Sequence, residues 1–156
     1  MKPNTLLTSA ALMILFFMGC DSSKQPDTSN VTSETIKNYF TPKPDKGIGK
    51  FSKMELTHPL DEDMVKKGQG IYDARCISCH KLTDEKLVGP GWKGVTDRRT
   101  PEWIMNFITN TDVMLDSDLI AQQLVVICIA RMPNQNLNDA EARSVLESMR
   151  KNDGKN

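Results

Sequence analysis

The run Cys76-Ile77-Ser78-Cys79-His80 places two thiols three residues apart and an imidazole directly after the second. At the end of a helix, thiols at that spacing can each add to one vinyl group of a single haem. The histidine that follows is then held beneath the iron, with Nε2 as its ligand. Other chemistries use only part of the pattern. A thioredoxin-like dithiol wants a βαβ context, which this chain lacks. A structural zinc site wants two more ligands at close spacing, and only Cys128 and His58 remain in the same stretch. A Cys76–Cys79 disulfide leaves His80 without a purpose. Haem attachment uses all three residues; zinc or dithiol chemistry is the alternative.

The elements that must hold this motif read as helices. One follows Asp61, an N-cap, through EDMVKKGQGIYDARC and delivers Cys76 at its end. A second opens at Thr100-Pro101-Glu102, an N-cap with proline at the first helical position. Trp103, Ile104, Phe107 and Ile108 then share one face. A third is expected from Ser117 or Asp118 to about Ala130. A fourth runs from Asn138 to Lys151, with Asn138 and Glu141 as a capping pair. No stretch alternates like a strand, so the expected fold is all-α, with about four helices. A domain of about 100 residues with modest apolar content gains from a prosthetic group that adds buried apolar area.

The ends have other roles. Residues 6–18 are an apolar run behind Lys2, too short to span a bilayer comfortably and laid out as a secretory signal. Gly19-Cys20 follows at once and resembles the lipobox of bacterial lipoproteins, in which the cysteine is acylated. Phe17 and Met18 stand where that family has leucine and a small residue. Residues 1–19 are thus expected to be a lipoprotein signal peptide, and residues 20–50, poor in apolar side chains, a flexible membrane tether. Residues 51–152 form the domain, and 153–156 a disordered tail. The whole chain's 20 basic and 20 acidic residues cancel, leaving no basic footprint for nucleic acid.

From about His58 to Arg150 the chain resembles a mono-haem class I cytochrome c. That family carries a glycine and an aromatic residue ahead of the haem motif, matched here by Gly68 or Gly70 and by Tyr72. It crosses this helix on the C-terminal one, whose apolar positions are Val145, Leu146 and Met149. The family's usual aromatic on that last helix is absent. The resemblance implies a methionine as the second iron ligand, from a loop before the last helix. Met132, in Arg131-Met132-Pro133, is the match, and Met114, between helices, is the competitor. Met105 and Met149 read as core. Val88-Gly89-Pro90 resembles the loop whose proline carbonyl accepts the ligand histidine's Nδ1–H, which makes Pro90 that residue. Trp92, Arg98, Arg99 and Trp103 are candidates for contact with the haem and its propionates, by indole N–H or guanidinium hydrogen bonds. His58 reads as a surface or hydrogen-bonded residue, and Cys128 as a buried free thiol.

Histidine–methionine ligation fills both axial positions, so the expected function is one-electron transfer by an exported, lipid-anchored protein. It faces the periplasm or cell exterior and carries one covalent haem c. No side chain acts as a catalytic acid, base or nucleophile. Redox partners are implied: a membrane quinol-oxidising donor and a terminal reductase or oxidase as acceptor. The phrases GPGWKGVTDRRTPEWI and RMPNQNL are similar to lipoprotein cytochromes that accompany respiratory reductases, nitrous oxide reductase among them. The alternatives are a five-coordinate, peroxidase-like haem enzyme and a fixed haem subunit of a larger respiratory complex.

Overall fold

A computed structural model describes residues 45–156. The signal peptide, Cys20 and most of the expected tether lie outside the described residues. Within them the fold is all-α, with six helices and no strand.

The first, α1 (Glu62–Arg75), starts where Asp61 accepts the Met64 N–H at 2.9 Å. Glu62 and Asp63 oppose the helix dipole in the first turn and Arg75 does so in the last. The last helix, α6 (Asp139–Asn152), has the expected capping box: Asn138 and Glu141 each accept the other's backbone N–H. These two helices cross, and Gly68 is the residue that lets them. A methyl there would overlap the Ser144 carbonyl oxygen, whereas Gly70 faces open space. Ser144 and Ser148 supply the small surface on α6, so the crossing closes without an aromatic residue. Val145, Leu146 and Met149 are buried beneath it.

Between them lie α2 (Val95–Arg98), α3 (Pro101–Thr109), α4 (Thr111–Ser117) and α5 (Leu119–Cys128). Thr100 caps α3 by accepting the Trp103 N–H at 3.1 Å. Trp103 to Ile108 are all buried. Two helices of this group are additional to the four expected. Both are too short for a hydrophobic period to show: α2 has four residues and α4 seven. The expected third helix is α5, with Asp118 as its N-cap. Asp118 takes an extended conformation and accepts the Ala121 N–H at 2.8 Å. That helix ends at Cys128, because Ile129 adopts the left-handed conformation with φ 54°.

Both ends of the domain are held more tightly than expected. Residues 45–50, assigned above to the tether, pack on α3 and α4. Buried Asn106 donates to the carbonyls of Lys46 and Phe51 and accepts the Phe51 N–H at 3.0 Å. The Ile48 N–H meets Met114 Sδ at 3.0 Å. Residues 153–156, expected as a disordered tail, make five contacts with other segments, taken up below. Glu147, fully buried on α6, ties the approach to α1. It is bonded by Arg143, Arg150 at 2.7 Å and the Thr57 hydroxyl at 3.3 Å. Burial raises its pKa, but the two arginines outweigh that and hold it below the usual range.

Candidate functional site

The turn that ends α1 gathers the chemistry. His80 N–H and Cys79 N–H both reach back to the Cys76 carbonyl, at 2.9 and 3.0 Å. Cys76, Cys79 and His80 thereby line one cavity of about 340 Å³. Burial pushes the Cys76 thiol up to about 11.

His80 is fixed from three sides. Its Nδ1 lies 2.8 Å from the Pro90 carbonyl, which can only accept, so Nδ1 carries the proton and Nε2 a bare lone pair. Its own carbonyl accepts the Tyr72 hydroxyl at 2.7 Å. Beneath the ring lies Gly89, where a methyl would overlap Cε1. Burial lowers the imidazole pKa, with the Pro90 hydrogen bond opposing, so the neutral, ligating form is favoured. Trp92 is 6% exposed and closes this wall, its ring 4.8 Å from Tyr72 and 5.9 Å from His80.

The facing wall comes from α3, α5 and the loop after α5. Met132 lies on it, with Leu124, Val125 and Cys128 of α5. Its loop is pinned at two points: Arg131 pairs with Asp116 at 2.7 Å, and Arg75 donates to the Gln135 carbonyl at 3.0 Å. Met114 is elsewhere. It is fully buried, its sulfur faces the Ile48 N–H, and it is not on the cavity wall. Met149 is buried and also borders the cavity, while Met105 is core only.

Of the proposed haem contacts, Pro90, Trp92, Arg98, Arg99 and Trp103 all border the cavity. Trp103 departs from expectation in one respect. Its indole N–H is directed at Asp118, 3.3 Å away, because the extended break before α5 brings that carboxylate alongside. Only the Trp103 ring is left for the cavity, stacked on Phe107 at 5.0 Å with the Arg99 guanidinium 5.2 Å from it. Arg98 donates to the carbonyls of Lys93 at 2.7 Å and Gly91 at 3.4 Å. His58 is away from the cavity, its Nδ1 2.9 Å from the Asn156 carbonyl. Cys128 is half-buried rather than buried, and lines the cavity. Sequence reasoning missed the Tyr72 hydroxyl contact and the α5 wall. Tyr72 had been noted only as an aromatic, and α5 is apolar on so many sides that no single face stands out.

These residues fit a covalently held haem. Two thiols and an imidazole with a bare Nε2 lie on the wall of a large, mostly apolar cavity, and Gly89 leaves room under the imidazole ring. Zinc fits poorly: among the described residues no group of three or more His, Cys, Asp or Glu is arranged to hold a metal ion.

Comparison with known proteins points the same way. A family model described as cytochrome c matches residues 65–152. Cytochrome c from Rhodothermus marinus is similar with a TM-score of 0.65 and 30% identity, over 68% of this chain and 90% of that one. An engineered cytochrome c from the same organism, bound to a carbene intermediate, gives a TM-score of 0.62 and 29% identity, over 68% and 91%. No curated protein sequence matches.

Proposed function

The chain belongs to the cytochrome c family, and from that premise we propose a membrane-tethered one-electron carrier whose haem iron is ligated by His80 and Met132. Bound through Cys76 and Cys79, the haem supplies a one-electron iron couple. The protein supplies the rest. Pro90 holds the His80 tautomer, Gly89 and Tyr72 hold its position, and the apolar walls keep water away, which favours the less charged, reduced state. Met132 would hold the iron through its thioether, which would raise the potential further and leave no open site for peroxide or oxygen.

One observation carries this reading: Met132 shares a cavity with the bare Nε2 of His80, while the sulfur of Met114 faces a backbone N–H outside it. The optical spectrum tests it, on protein made in a host able to attach c-type haem. We expect a low-spin spectrum with a methionine–iron charge-transfer band, both lost in Met132→Ala. A high-spin wild type that binds carbon monoxide would turn the reading toward the five-coordinate enzyme.

Acylation of Cys20 would anchor the protein to a bacterial membrane, facing the periplasm or cell exterior. A flexible tether over residues 20–44, ahead of the residues the structure describes, would give an r.m.s. reach of roughly 25–30 Å. That reach suits a domain moving between a quinol-oxidising donor and a terminal reductase or oxidase; nitrous oxide reductase is the acceptor to try first. Cys20→Ser should move the protein from the membrane to the soluble fraction, and retention there would count against the anchor.

A further inference from the structure

The last five residues of the chain bond to three separate segments. The Asn152 amide donates to the Leu82 carbonyl at 3.0 Å. Asp153 accepts three hydrogen bonds: Gly94 N–H at 2.5 Å, Thr96 N–H at 2.8 Å and Thr96 O–H at 2.7 Å. Lys155 pairs with Asp97 at 2.5 Å, and the Asn156 carbonyl faces His58 at 2.9 Å. Residues 153–156 lie beyond the stretch matched by the family model.

The bonds made by Asp153 meet a specific need. Helix α2 has four residues, too few to persist by propensity alone. Its N-cap is Gly94, left-handed at φ 73°, with no side chain to take up the free N–H groups of the first turn. Asp153 supplies that cap from the end of α6, across the fold. What α2 carries is the cavity wall, for Val95 and Arg98 belong to it and Arg99 follows directly.

We propose that the C-terminal residues are a latch on the haem-facing wall, with Asp153 a positioning residue that fixes where Arg98 and Arg99 present their charge to the cavity. The inference rests on haem occupying that cavity. Positive charge held near the iron favours the reduced state, because oxidation adds positive charge to the iron. Loosening α2 lets the guanidinium groups move toward water and admits water to the wall, and the reduction potential falls. Loss of the Asp153 carboxylate by its charge alone would act the other way and raise it. The sign of the shift therefore separates positioning from simple electrostatics.

The experiment uses the haem-loaded protein in three forms: Asp153→Ala, Thr96→Val and, as a control, Lys151→Ala. The control removes an exposed pair with Glu62 close to the same helix end. Haem absorbance reports loading separately, so failure to bind haem in the wild type counts against the carrier reading and not against the latch. We expect the Gly94 and Thr96 amides of Asp153→Ala to exchange at least about tenfold faster. At a fixed ambient potential its reduced-to-oxidised ratio should fall about threefold. Thr96→Val, which changes no charge and removes one of the three bonds, should shift both readouts in the same direction by less. The control should leave both unchanged. Faster exchange with an unchanged potential in both variants would overturn the proposal, as would a rise in Asp153→Ala with no change in Thr96→Val. If Asp153→Ala does not accumulate folded protein, Thr96→Val decides alone.

Discussion

The two walls of the cavity are built on different principles. The His80 wall is local: Cys76 to Trp92 closes on itself through the Cys76 turn, the Gly89 N–H on the Cys79 carbonyl at 2.9 Å and the Trp92 N–H on the Lys81 carbonyl at 2.8 Å. The Met132 wall is assembled from α3, α5 and the following loop, clamped by long-range contacts such as Arg131–Asp116 and Arg75–Gln135. Both leave apolar side chains in water, Ile77, Leu87 and Val88 on the first, but the second does so further, with Val126 77% and Ile129 92% exposed. One wall tolerates almost no change in shape, while the other has slack.

The largest effect should come from filling the rigid wall. In Gly89→Ala the added methyl overlaps the His80 ring, so either the ring leaves Pro90 or the loop shifts. We expect a loss of about 2 kcal/mol in stability. The methionine–iron band should also weaken as the ligand tilts. Denaturant unfolding and the optical spectrum check the two parts, and an unchanged band with unchanged stability would show that this wall has slack too.

The same contrast explains what could be read before the structure. Caps at Asp61, Thr100 and Asn138 act within three residues, and Cys76, Cys79, His80 and Pro90 lie within one short stretch, so both were legible as patterns. The direction of the Trp103 indole and the Asp153 latch depend on residues brought together from separate parts of the chain. No spacing announces them. The crossing of α1 and α6 lies between these cases. The choice of Gly68 over Gly70 needed the partner surface of Ser144 and Ser148, which the missing aromatic had obscured.

A smaller effect, of opposite sign, is expected on the Met132 wall. Ile129 is a β-branched residue held at φ 54°, and its side chain, almost fully in water, has little packing to offset the strain. Ile129→Gly should stabilise the protein by about 1 kcal/mol with the haem spectrum unchanged. A destabilised variant would mean that the exposed isoleucine makes a contact that outweighs its strain, and would remove the contrast between the walls.

The most direct test of the carrier account is a potentiometric titration of the haem-loaded protein under carbon monoxide, followed optically. We predict a single reversible one-electron transition, the same with and without the gas, because His80 and Met132 hold both axial positions in either redox state. A carbon monoxide-bound spectrum appearing on reduction, with the transition displaced to higher potential, would mean that the Met132 side of the iron is open and would contradict the account.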